Sequence, residues 1–166
     1  MISRKDGPRR GLWYEEFEPG AMILSPARTI TEADIVLFAG LSGDQMPLHT
    51  DETAATRTAF RGRVAHGMLV QSVATGLAFR TGYFEGTLQA LAGMTIRWPA
   101  PVRPGDTIRL ALRVERLEEP SRRSGIVVFR AEVKNQEDRV VSEGDWSFSM
   151  LRDMPANHKL LAGDAR

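Results

Sequence analysis

A chain of 166 residues, 42% hydrophobic and 26% charged, is long enough for one sizeable core and has the ordinary balance of a globular domain. Basic residues number 22 and acidic residues 21, so the net charge is +1 and no global field draws the chain to nucleic acid or to an anionic membrane. The lack of cysteine excludes disulfide scaffolds, thiolate zinc sites and cysteine nucleophiles.

In chain order, Met1 to Arg10 is polar and basic and reads as a loose tail. No apolar stretch follows that could serve as a signal peptide. No run approaches the roughly 20 apolar residues of a membrane helix, so a soluble cytoplasmic protein is expected. Trp13-Tyr14, ahead of Phe17, reads as an edge cover or interface patch. Met22 to Ile30 suits a strand. Thr31-Glu32-Ala33-Asp34 has the form of a capping box, opening a short helix whose apolar face is Ile35, Leu37, Phe38 and Leu41. Gly40 and Gly43 mark its end. A second short helix, capped by Asp51, runs from there to about Thr58.

From His66-Gly67 to Phe79 the sequence is apolar nearly all round, with small residues at Ser72, Ala74, Thr75, Gly76 and Ala78. Such a helix is normally buried, and its small residues let a sheet approach closely. Four strands follow, over Leu88–Pro99, Asp106–Leu117, Gly125–Asn135 and Val140–Leu151. The alternation is plain in Ile108-Leu110-Leu112-Val114 and in Ile126-Val128-Phe129. The tail from Met154 is polar and peripheral. The whole reads as a single α+β domain, core about 12–151, with a sheet wrapping one helix. A sheet covers such a helix on one side only, so the other side needs a second protomer or an extra element, and oligomerisation is expected.

Chemistry concentrates in two segments. Asp44 and His49 stand five residues apart with Pro47 between them. A glycine-led loop with an internal proline can aim both side chains into one cleft, which suits acid/base work near neutral pH. His66-Gly67 sits at the start of the buried helix, where unpaired backbone N–H groups carry partial positive charge and can hold an oxyanion. An acid/base pair beside an oxyanion hole outlines the addition of water across an enoyl thioester. The bland readings are a turn for Asp44, a structural histidine for His49 and His66, and a close-packing glycine for Gly67. Arg57, Arg61, Arg63, Arg97 and Arg103 are candidates for coenzyme A phosphates, since guanidinium forks suit phosphate. Three histidines so dispersed suggest no metal site, and no cofactor is implied.

Thr31-Glu32-Ala33-Asp34, Ser42-Gly43-Asp44, Pro47-Leu48-His49, Gly62 to Leu69 and Ala100 to Thr107 together resemble the MaoC-like dehydratase family, which includes the (R)-specific enoyl-CoA hydratases. The likeness runs over roughly residues 12 to 150. It implies a hot-dog fold, a homodimer or higher homo-oligomer, and an acyl-CoA thioester as substrate. It implies catalytic roles for Asp44, His49 and Gly67, and places Thr75, Met46, Arg63 and His66 near the substrate. One departure stands out: the family pattern has asparagine two residues after the aspartate, and here that residue is Met46, with Gln45 next to it. Because hot-dog folds also support thioester hydrolysis, an acyl-CoA thioesterase remains an alternative. So does a non-catalytic acyl-CoA-binding protein, which Met46 motivates.

Overall fold

The computed structural model describes residues 11–119 and 121–154. The basic N-terminal tail, nearly all of the C-terminal tail and His158 lie outside them. After a single 3-10 turn at Tyr14–Glu16 come β1 (Met22–Leu24) and β2 (Arg28–Thr29). Three helices follow, α1 (Glu32–Ser42), α2 (Pro47–Thr50) and α3 (Glu52–Ala55), then the long α4 (Gly67–Arg80). The chain closes with β3 (Leu88–Met94), β4 (Thr107–Glu118), β5 (Ser124–Lys134) and β6 (Val140–Leu151). The strands are antiparallel in the order β1-β4-β5-β6-β3, with β2 also paired to β4. Helix α4 packs on β4 and β6, so the sheet wraps one long helix in the hot-dog arrangement that the resemblance implies.

The inward side of β4 is Ile108, Leu110, Leu112 and Val114, all essentially inaccessible, as the alternation predicts. On β5 the inward residues are Val127, Phe129, Ala131 and Val133, so Ile126 and Val128 take the opposite face, contrary to the sequence reading. Register decides this, because Phe129, Ala131 and Val133 pair with the inward Val114, Leu112 and Leu110 of β4. Phe17, Phe84, Phe129, Phe148 and Trp146 form a connected ring cluster, with Phe129 edge-on to Phe17, Phe84 and Phe148 at 5.5–5.9 Å. Trp13 and Tyr14 are no interface patch. Both are buried within the one chain.

The single strand expected over Met22–Ile30 is two, interrupted at Ser25-Pro26-Ala27, where proline has no N–H to give a ladder. The strand expected to reach Pro99 ends at Met94, leaving Arg97 as an isolated bridge to Glu143. The capping box opens α1: the Asp34 N–H donates to Thr31 Oγ1 at 3.2 Å and the Thr31 N–H to Asp34 Oδ2 at 2.8 Å. Its end is Gly43 at φ +76°, a left-handed conformation that glycine adopts without strain.

The buried stripe of α1 is narrower than the sequence suggests. Ile35 and Ala39 are buried and Phe38 partly so, while Leu37 and Leu41 are 72% and 84% exposed. They share the outer side of the helix, one turn apart, with no described part of the chain over them. Helix α4 likewise buries Leu69, Val70, Val73, Ala74, Leu77 and Ala78 and leaves Met68, Ser72, Gly76 and Phe79 exposed. Of the small residues, only Ala74 and Ala78 are buried in the core. No described helix is long and apolar enough to cross a membrane.

Candidate active site

The site forms where the C-terminal end of α1, the helix α2 and the first turn of α4 meet. Asp44 follows Gly43 in the connecting loop, its N–H donating to Ser42 Oγ while its Oδ1 accepts from the Met46 N–H, both at 3.2 Å. Gln45 sends its amide to the Ala39 carbonyl at 3.0 Å, so that amide is used in anchoring the loop to α1. Met46 contributes its backbone, and its side chain is half exposed. His49 is not in the loop. Pro47 starts the short helix α2, which carries His49, a residue only 7% exposed.

The histidine tautomers follow from their partners. His49 Nδ1 lies 2.7 Å from the Val64 carbonyl, which can only accept, so neutral His49 carries its proton on Nδ1 and keeps a basic Nε2. His66 Nε2 lies 3.0 Å from the Asp44 carbonyl by the same logic, leaving a lone pair on Nδ1 that is buried and finds no partner among the described residues. The two imidazoles stack, with centroids 3.8 Å apart and planes inclined at 27°, and Phe38 leans on His66 at 5.1 Å.

A carboxylate oxygen of Asp44 and one ring nitrogen each of His49 and His66 lie within 4.8 Å of one another. A divalent metal is a poor occupant. The two imidazoles are stacked, with centroids 3.8 Å apart, and in-plane lone pairs of stacked rings run side by side and do not aim at one ion about 2.0–2.1 Å from each. The trio suits a hydrogen-bonded water better than an ion.

His66 also stands at the N-cap of α4 and gives that helix no side-chain cap, so the first-turn N–H groups of Gly67 and Met68 find no capping side chain there. Gly67 and Met68 line a cavity of about 620 Å³, together with Asp44, His49, His66 and apolar side chains that include Phe38, Phe60, Val70 and Trp98. Asp44 is the one charged residue in that lining.

Of the residues singled out in the sequence, Asp44, His49, His66 and Gly67 come together at this cavity. Thr75 lies two turns along α4, donating its hydroxyl to the Ser72 carbonyl at 2.8 Å, and Met46, Thr75 and Arg63 are outside the lining. Arg63 bonds both Glu32 and Glu52, with Nε 2.9 Å from the latter, and these carboxylates hold its guanidinium charge firmly. Arg103 donates to the Phe60 carbonyl, Arg97 stands 3.6 Å from Glu143, and Arg57 and Arg61 are exposed. Sequence reasoning missed Phe38, Phe60, Trp98 and Val141 in the cavity wall. The only signal for Trp98 was its place between Arg97 and Pro99.

A family model described as a MaoC like domain matches residues 16–137. Protein MaoC of Klebsiella aerogenes is 45% identical over 105 residues, which are 63% of this chain and 31% of that protein, so the chain spans about a third of that relative's length. The (R)-specific enoyl-CoA hydratase of Rhodospirillum rubrum is 38% identical over 61% of this chain and 69% of its own length. Among solved structures, the unliganded R-hydratase of Pseudomonas aeruginosa superposes with a TM-score of 0.72 at 31% identity, covering 86% of this chain and 88% of that one.

Proposed function

The chain belongs to the MaoC-like family, and from that premise we propose that it adds water to 2-enoyl-CoA thioesters, or removes it from 3-hydroxyacyl-CoA, using Asp44 and His49 as the acid/base pair. The observation that carries the reading is the convergence of the carboxylate, a basic imidazole nitrogen and an uncapped helix N-terminus on one apolar cavity. Relatives named as (R)-specific hydratases support the same reaction and its (R) outcome.

In the forward direction the pair holds a water over Cβ. One water proton passes to the pair as the oxygen bonds Cβ, and the double-bond electrons move onto Cα and the thioester oxygen. The Gly67 N–H, at the positive end of α4, stabilises that oxygen, and the pair then delivers a proton to Cα. Water is thereby fully accounted for: oxygen and one hydrogen at Cβ, the other hydrogen at Cα. A dicarboxylic acyl group is disfavoured, since its second carboxylate would meet Asp44 and no cation in the lining. His66 serves this site by stacking on His49 and holding the Asp44 carbonyl, and Met46, Thr75 and Arg63, outside the lining, take no part in the step.

Absorbance loss at the enoyl-thioester band with crotonyl-CoA tests the proposal, with wild type, Asp44→Asn and His49→Gln side by side. Turnover by the wild type that drops about 10²–10⁴-fold in either variant is expected. Hydration by Asp44→Asn at the wild-type rate would sink it, and release of free thiol from butyryl-CoA would turn the reading to a thioesterase. A homodimer belongs to the same proposal, because the bare stripe Met68–Phe79 of α4 and the exposed edge strand β3 leave apolar surface that a second copy would cover. Sedimentation at the mass of one chain would remove it.

A further inference from the structure

Trp98 is the one tryptophan of three that is not buried: Trp13 and Trp146 are each 2% exposed, Trp98 45%. An exposed indole would ordinarily be mobile, yet this one is fixed at three points. Its Nε1–H donates to the Gly67 carbonyl at 3.1 Å. The backbone before it is pinned to β6, with Arg97 and Glu143 exchanging N–H···O bonds of 2.8 and 2.9 Å. The backbone after it passes through Pro99 and is tied to the approach of α4 where the Ala65 N–H meets the Val102 carbonyl at 2.7 Å.

The ring lies directly against Gly67. A Cβ built on that glycine would stand 2.8 Å from Trp98 Cε2 and 3.1 Å from Cδ2 and Nε1, inside normal contact. Only glycine therefore permits this approach, and the indole packs on the residue that opens α4. Trp98 also lines the cavity that holds Asp44 and His49. On the hydratase reading, a carbonyl oxygen held at Gly67 brings the carbon next to that carbonyl within reach of the indole packed on the same residue.

We propose that Trp98 is a specificity-determining residue: clamped over Gly67, it walls the cavity beside the thioester carbonyl, so that Cα bears hydrogen and α-methyl-branched acyl groups are refused. The proposal rests on the hydratase reading for the placement of the carbonyl. A single methyl group misplaced against a rigid wall is worth about 10–200-fold in discrimination.

The test compares kcat/KM for crotonyl-CoA and for (E)-2-methylcrotonyl-CoA in wild type, Trp98→Phe and Trp98→Ala, and in parallel the calorimetric binding of butyryl-CoA and isobutyryl-CoA, which carry no double bond to hydrate. Wild type favours the straight thioester at least tenfold in both assays. Trp98→Ala loses most of that preference, chiefly by gaining the branched compound, and Trp98→Phe, which keeps a ring without the Nε1 bond, retains most of it. A preference that is the same in wild type and Trp98→Ala, with both showing the same cooperative melt, overturns the wall and leaves the hydratase reading standing. Loss of binding preference in Trp98→Ala, with no hydration by the wild type, supports the wall and removes the hydratase reading. Failure of the wild type to bind either saturated thioester overturns both.

Discussion

Across β4, β5 and β6 the residues that hold the molecule together are aliphatic and aromatic side chains on a regular ladder. Between α1 and the first turn of α4 they are polar side chains that end on backbone carbonyls: His49 on Val64, His66 on Asp44, Gln45 on Ala39, Trp98 on Gly67. Apolar contacts are non-directional and scale with area, so they set stability. A hydrogen bond to a carbonyl fixes an angle and a tautomer, and adds only about 1 kcal/mol net. The two regions should therefore fail differently. Damage to the sheet unfolds the protein, and damage to the site layer leaves it folded and inactive.

The largest effect separates them most sharply. Phe129 is inaccessible and meets Phe17, Phe84 and Phe148 edge-on, so Phe129→Ala opens a cavity that neighbouring rings on a rigid ladder cannot fill. It should cost about 3–5 kcal/mol in urea unfolding, with turnover per folded molecule unchanged. A loss below about 1 kcal/mol would show that the ring cluster is not what stabilises the sheet.

A middle-sized effect comes from His66, which touches each part of the site and makes no bond to spare. His66→Leu keeps much of the volume but loses the stack on His49 and the bond to the Asp44 carbonyl, which water can then reach in its exposed loop. Stability should move by about 1 kcal/mol or less, since the buried, unpartnered Nδ1 is removed as well. We expect kcat to fall about tenfold, the equivalent of ~1.4 kcal/mol, at nearly constant KM. A rise in KM at constant kcat would instead mean that His66 touches the substrate.

What the sequence made legible follows the same division. The capping box of Thr31 and Asp34 and the alternation of β4 are local patterns, and each was readable because a single element decides it. The inward face of β5 was not, since its pairing with β4 chose between two plausible apolar sets. The breadth of the buried face of α1 was not, because leucines at helical spacing do not say whether any neighbour lies over them. At the site, Asp44 and His49 stood close enough in sequence to be paired, and Gly67 could be placed by its helix start. The His49–His66 stack and the contact of Trp98 with Gly67, which is 31 residues distant in sequence, depend on tertiary approach and left no periodic trace.

The smallest effect tests the border between the two regions, where α1 starts. Burial alone would raise the Asp34 carboxyl, but the N–H and hydroxyl of Thr31 and the Arg28 guanidinium overcome it and hold the group below the ordinary range. A depressed carboxylate stabilises the fold fully above its unfolded value, about 3.9, and that contribution disappears as pH falls through the lower folded value. Asp34→Asn should therefore be less stable than wild type at pH 7 by about 0.5–1 kcal/mol, a modest figure because Arg28 is 40% exposed and screened by solvent. The gap should close below about pH 4. Glu15 is also lowered, its burial overcome by Arg152 and the Asp153 N–H, so both proteins keep a common acid sensitivity that cancels in the difference. Thermal melts of the pair at pH 7 and pH 3 read that difference directly. A gap of the same size at both would mean that Asp34 acts through its shape as a cap and not through its charge.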